Sequence, residues 1–533
     1  MPLSYREGLT MGLRPRTKIP INSQWFQTFK NLKPTVRGGI PVPQIAQPIP
    51  AAELTAHSVT ISHPFPQLFR GKGITLLATA TEVFVVDESD WTLDTMIQHY
   101  GSTANYYDLY TPASDTTITN TSSTPWQFID FHGTWFLLNG EDMVMHTDWV
   151  DADKVFVQGD VTVTCGCNHN GRAFFGGFDP ENLWTKWSTI WEGWMEKAVE
   201  WGFTLNAPGT NWVWFSSIGG GDLMHFFLPD LAQYGLEDST FRAEAENYDA
   251  DHPVAQFFMK RLSSGFLPMD WQGTVWNIKP LGPYMIVYGS DGISAMQSIS
   301  DPIPTYGLIE NIHELGLASR CAIGGDNNQH FFVDAEGVLW AIDAQLKKTR
   351  LGYKEVFSTM LGNEIIISYD PVEREVYISD SAVSFLLTEH GLCSIKQLVS
   401  SVVRAAATVA TTDHWLLGVV KDISGSAADD LELKTEVFDF GNREIKTLKK
   451  ITVQGANTED LVIVPYYHFD TADAFVAGTT LSVDTRGQAL SATSGIEFYL
   501  SFKDTSPVDV EITDIIIEES TGERISLKER LSV

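Results

Sequence analysis

Cys165-Gly166-Cys167-Asn168-His169 brings two thiols and an imidazole within five positions, the residue types that hold a soft metal such as zinc. A structural zinc site draws four ligands from two separated clusters, and the remaining cysteines, Cys321 and Cys393, stand on distant segments without ligand-type neighbours. The spacing therefore predicts idle cysteines in a glycine-containing turn, with no metal and no cofactor. Asp87, Asp90, Asp222, Asp270, Asp291 and Glu336 offer carboxylates, and glycoside hydrolysis needs two of them converging across a scissile bond. Most of these acids fall in segments that read as hairpin turns, where a carboxylate caps backbone N–H groups. Trp91, Trp271 and Trp276 beside them suit either a sugar platform or packing between sheets, and packing is the preferred reading. The glycines of SIGGGD at 217–222 lack the Lys-Ser/Thr of a phosphate loop, and neither G-x-S-x-G nor H-E-x-x-H occurs. No catalytic residue is assigned. The expectation is a non-enzymatic structural protein, with a carbohydrate-binding or glycan-processing β-propeller as the alternative.

The elements that would position these residues are strands. From about 73 to 420 an apolar run meets a short polar turn and a second apolar run: EVFVV-DESD-WTLDTM (82–96), TWFLL-NGED-MVMHT (134–147), WVWFS-SIGGGD-LMHFF (212–227), YMIVY-GSDG-ISAMQ (284–297), HFFV-DAEG-VLWAI (330–342) and EVYIS-DS-AVSFLL (375–387). Asn-Gly, Asp-Gly and Gly-rich turns accept positive φ and mark hairpins. Asp87 to Asn139, Asp291 to Glu336 and Asp334 to Asp380 are separated by 52, 45 and 46 positions. A recurrence of roughly 40–50 residues built from about four short strands is the signature of propeller blades. The fold expected is all-β: a propeller of six to eight blades over 66–420, a β-sandwich over 431–533 and an extended arm over 1–65. An irregular sandwich or a β-helix fits less well, because neither repeats at this interval. One insertion, 183–201, carries Trp184, Trp187, Trp191, Trp194 and Trp201 at helical spacing and is expected to pack internally.

The chain has 533 residues, 67 acidic against 36 basic, for a formal charge of −31. Residues 1–72 hold nine Lys/Arg and only Glu7 and Glu53, leaving a net −38 on 73–533. A body this acidic repels phosphate, so gripping nucleic acid is excluded, whereas a wall past which DNA slides is not. The first residues contain no apolar leader and no run of 18 apolar residues occurs, so neither a signal peptide nor a membrane span is expected. The arm is broken by Pro15, Pro20, Pro34, Pro41, Pro43, Pro48 and Pro50 and has one aromatic anchor, Trp25 to Phe29. Trp25, Phe26, Phe29, Arg14, Arg16 and Lys18 are candidate assembly contacts with an acidic neighbouring subunit; the alternative is an arm packed on its own body.

TEVFDFGNREIKTLKKITVQG (435–455), GIEFYLSF (495–502) and VEITDIIIEES (510–520), with NLKPTVRGGI (31–40) and HGLCSIKQL (390–398), resemble the tail nozzle or packaged-DNA stabilisation proteins of short-tailed bacteriophages. The resemblance spans nearly the whole chain. It implies a location in the virion tail and a homo-oligomeric ring, a hexamer, around a channel that retains double-stranded DNA and then conducts it. Portal or adaptor proteins would lie above the ring, and tail fibre or tip proteins at its periphery. The Trp-rich insertion and the acidic linker 422–430 have no counterpart in that pattern.

Overall fold

The computed structural model describes residues 4–8, 26–35, 38–42, 49–71, 74–95, 118, 120–147, 154–159, 163–179, 209–216, 218–219, 265–300, 305–371, 373–396, 398–399, 401–403, 415–417, 421–422, 430–440, 444–470, 473–505, 507 and 510–521. Apart from short helical pieces such as Ala51–Ala56, these residues form an all-β fold of several sheets. No described helix is long and apolar enough to cross a membrane.

Seven sheets follow one another along the chain. The first is Gln67–Gly71, Ile74–Ala78, Val83–Asp87 and Thr92–Thr95, and the second is Gln127–Phe131, Thr134–Leu138, Asp142–Thr147 and Lys154–Gly159. The third is Cys165–His169, Arg172–Gly176, Trp212–Phe215 and Gly265–Pro268, and the fourth is Val275–Leu281, Tyr284–Gly289, Ile293–Ile299 and Thr305–His313. The fifth is Ile323–Gly325, Gln329–Val333, Leu339–Asp343 and Lys348–Gly352, and the sixth is Ile366–Asp370, Glu375–Ser379, Ser384–Thr388 and Gly391–Ile395. The seventh has three described strands, Ser401–Val403, Trp415–Leu417 and Lys421–Asp422. All are antiparallel meanders.

Runs such as TWFLL and RAFFG are buried at every position rather than at alternate ones. A strand reads this way when its sheet is covered on both faces. Successive sheets supply that cover. Phe69 stacks on Phe128 with ring centroids 5.7 Å apart, and Phe136 meets Phe175 edge-on at 5.7 Å. Tyr288 Oη and His330 Nδ1 lie 2.8 Å apart, and the Ile367 amide donates to the Cys321 carbonyl at 3.0 Å. Ser379 Oγ donates to the Val399 carbonyl, and the Leu68 amide donates to Ser401 Oγ at 2.9 Å, which brings the seventh sheet against the first.

One interval and one hairpin expected from the sequence are corrected. The turn at Asp87 joins third and fourth strands, whereas those at Asn139, Asp291, Asp334 and Asp380 join second and third. The interval of 52 therefore compares unlike turns; those of 45 and 46 compare like ones. In the third sheet Trp212–Phe215 pairs with Gly265–Pro268, and the expected partner 223–227 lies outside the described residues.

The C-terminal sandwich packs two sheets. One orders Leu32–Thr35, Gly38–Pro41, Glu511–Thr521, Lys446–Ala456 and Gln488–Leu490, with Ser4–Gly8 also on Glu511–Thr521. The other has ten strands and is continuous with the sixth sheet. Phe26–Lys30 makes the join. It lies parallel to Gly391–Ile395 on one side and antiparallel to Leu431–Thr435 on the other. Leu448, Ile451, Phe498, Leu500, Ile512 and Ile515 meet between the layers in a core that also contains Phe29, Leu32, Leu392 and Cys393. The segment 1–65 is thus not wholly an appendage: Phe26–Lys30, Leu32–Thr35 and Gly38–Pro41 complete both layers of the sandwich. Of the proposed linker 422–430, residues 423–429 lie outside the described residues, as do the Trp-rich insertion 183–201 and the tail 522–533.

Candidate functional site

A cleft of about 580 Å³ opens between the fifth and sixth sheets. The turn after Ile323–Gly325 builds one wall, because Asp326 Oδ1 accepts from the amides of Asn328 and Gln329 at 2.9 and 3.0 Å and so fixes the loop. The opposite wall comes from two turns of the sixth sheet, at Pro371 and Arg374 and at Glu389 and His390, tied together by Arg374 Nη1 and Glu389 Oε1 at 3.1 Å. Phe331 and Tyr369 meet in the cleft with centroids 5.7 Å apart, and Leu351, Tyr353, Val376 and Leu387 add apolar lining. Burial pushes the Tyr369 phenol up, Asp326 pushes the same way, and Arg374 opposes both. The Gln329 amide, the Tyr369 hydroxyl and the His390 ring, all in the lining, make no side-chain hydrogen bond to another described residue. The arrangement is an aromatic floor, three uncommitted polar groups and a rim whose charges are already paired or capping a turn.

The residues singled out from sequence are placed elsewhere. Trp25, Arg14, Arg16 and Lys18 lie outside the described residues. Phe26 sits in the joining strand opposite Thr435, and the Phe29 ring is fully buried in the chain's own core, out of reach of another subunit. Cys165 and Cys167 are on the first strand of the third sheet, not in a turn, and all four cysteines are buried and free. Burial pushes the Cys165 thiol up to about 12 and that of Cys167 well above its ordinary value. His169 shares their face of the strand but is spent on Tyr306 Oη at 2.9 Å and the Gly282 carbonyl at 3.1 Å, and burial lowers its pKa. Among the described residues no three His, Cys, Asp or Glu side chains are placed to hold a metal ion.

Asp87, Asp90 and Asp334 act within their own turns, whereas Glu336 and Asp270 pair elsewhere. Asp87 Oδ1 accepts from the Ser89 amide at 2.8 Å, and Asp90 Oδ1 from Thr92 Oγ1 at 2.8 Å. Glu336 pairs with Lys354 at 2.8 Å. Asp334 accepts from the Glu336 and Val338 amides, both at 2.9 Å, and from Trp340 Nε1 at 2.7 Å, with His313 Nε2 at 3.5 Å. Burial would raise the Asp334 carboxyl, but His313 and these donors outweigh it and hold it low. Asp270 accepts from Ser294 Oγ at 2.7 Å, and Ser294 Oγ in turn accepts from Trp271 Nε1 at 2.9 Å. Asp222 lies outside the described residues. Trp271 is buried, and Gly289 and Gly292 leave room for it: a Cβ at either would fall 2.2 or 2.5 Å from the indole. Trp91 and Trp276 are partly buried against neighbouring clusters, so packing, not a sugar platform, is their use here. Sequence reasoning missed Phe331 and Tyr369, whose only signal was an aromatic at or near the end of each apolar run.

No family model and no curated protein matches this sequence. Among solved structures, the extracellular domain of a one component system from B. thetaiotaomicron is similar at 9% identity over 84% of this chain and 47% of that one, with a TM-score of 0.38. This chain thus spans about half the length of that protein. The WD40 domain of Neurospora crassa Pan2 is similar at 6% identity over 71% and 93% with a TM-score of 0.35, and BamB from Moraxella catarrhalis at 6% over 66% and 77% with 0.29. Similarity this distant assigns no activity and no partner.

Proposed function

We propose that this chain is a non-enzymatic structural subunit of the tail of a short-tailed bacteriophage, a nozzle component that assembles as a ring of copies around a DNA channel. On this reading the seven sheets are the blades of a propeller. The Leu68 amide donating to Ser401 Oγ at 2.9 Å supports closure between the last blade and the first. The observation that carries the function is the ten-stranded sheet in which Phe26–Lys30 joins the sixth sheet to the sandwich. A sheet continuous across two lobes resists bending and suits a part that must withstand genome pressure.

Two further observations agree. Gln127 Nε2 reaches Cys321 Sγ at 3.5 Å, a contact between the first strand of the second sheet and the segment leading into the fifth. On the propeller reading this contact crosses the bore and leaves no room for a duplex, so a DNA passage lies between copies. The net −38 on residues 73–533 keeps phosphates from adhering to such a wall. In the tail, portal or adaptor proteins would seat on one face of the ring and fibre or tip proteins at its rim.

Negative-stain electron microscopy of the purified chain, with mass photometry, tests the reading. Closed rings with masses that are multiples of 59.3 kDa are expected. A monomer at every concentration and in the presence of the tail's neighbouring proteins would overturn it.

A further inference from the structure

We infer that the cleft between the fifth and sixth sheets is a binding site for a neutral saccharide. The inference is independent of ring assembly. At about 580 Å³ the cleft is in the size range of small-molecule sites and takes about two or three sugar rings. Its floor pairs Phe331 with Tyr369, tilted 38° to each other, a surface on which the apolar face of a pyranose ring can lie. The three polar side chains with no hydrogen-bond partner among the described residues, on Gln329, Tyr369 and His390, stand in the same lining and supply both donors and acceptors. A ligand rich in hydroxyls and apolar on its ring face satisfies both demands at once. An aliphatic ligand would leave the polar groups unpaired.

Charge selects against anions. Arg374 is held by Glu389, while Asp326 is capping its own turn, so one cation stands against two carboxylates in the lining. A phosphate, a uronic acid or a sialic acid entering there would meet a net negative rim.

Saturation-transfer difference NMR of the full chain with maltotriose, cellotriose, chitotriose and sialyllactose tests the site. At least one neutral trisaccharide is expected to receive saturation, and sialyllactose none. Tyr369→Phe and Gln329→Ala, which keep the packing of the floor, are expected to weaken the neutral ligand by tenfold or more with unchanged thermal midpoint. His390→Ala is a third variant with the same expectation. Binding by none of the neutral trisaccharides, preference for sialyllactose, or neutral binding unmoved in all three variants would each overturn the inference.

Discussion

Asn31 Nδ2 donates to the Asp430 carbonyl at 2.7 Å, 399 positions away in sequence. Its Oδ1 accepts from the Lys396 amide at 2.8 Å, and its backbone amide donates to the Ser394 carbonyl at 2.8 Å. Asn31 has a φ of +53°, a left-handed conformation that asparagine tolerates better than most residues. One side chain therefore ties the end of the sixth sheet to the first residue of the sandwich at the point where the joining strand ends. Replacing it with alanine removes two part-buried hydrogen bonds and strains the backbone. Asn31→Ala is expected to lower unfolding free energy by about 2–3 kcal/mol, read from the denaturant midpoint; an unchanged midpoint contradicts the role assigned to the joining strand.

Asp334 gathers two amides, an indole and an imidazole beneath the turn between the second and third strands of the fifth sheet. Asp334→Ala should cost about 3 kcal/mol, because a charged acceptor serving several buried donors is worth more than a neutral one. Its folded pKa is held low, so its ionised form stabilises the fold at pH above the unfolded carboxyl value of about 4, and that contribution is lost as pH falls through the lower folded value. The wild type should therefore lose stability towards acid more steeply than Asp334→Asn in a series of melts below about pH 5.

Glu436 shows the opposite sign. Burial raises its carboxyl to about 7, against a modest lowering by Gln27 of the joining strand. A raised carboxyl contributes most below the unfolded value of about 4.3, and its contribution is lost as pH rises through about 7. Between pH 5 and 8 the wild type should lose stability that Glu436→Gln retains. Parallel slopes for the two proteins in that window would remove Glu436 from the account.

The four cysteines are buried, and burial raises the thiol of each. An aromatic disulfide reagent at pH 8 should titrate none of them in the native protein and all of them in denaturant, since the thiolate is the reactive form. Rapid labelling of the native chain would place at least one thiol at the surface.

Much of the body was legible because hairpin turns are local. The Asn139-Gly140 and Asp334 to Gly337 segments have the chemistry that their backbones demand, with Gly140 and Gly337 at φ of +90° and +78°. The like turns at Asp291, Asp334 and Asp380 exposed the interval of the repeat. The third sheet was blurred, because its second, third and fourth strands are separated by long insertions and Trp212–Phe215 finds its partner at Gly265–Pro268. Of the acids singled out, Asp87 and Asp90 cap amides two positions on, which is a sequence-local feature, whereas Glu336 pairs with Lys354 and Asp270 accepts from Ser294 Oγ, partners that only the tertiary structure supplies.

By itself the sequence determined the all-β character, the repeating hairpins, the acidic body and the burial expected of isolated cysteines. These follow from short-range pattern, composition and turn chemistry. Tertiary structure alone decided that Phe26–Lys30 belongs between Gly391–Ile395 and Leu431–Thr435, and that Phe331 and Tyr369 share one cleft. Strand partners hundreds of positions apart are chosen by which edge remains unpaired and which side chains fill the space between sheets. Neither is written in the spacing of the residues.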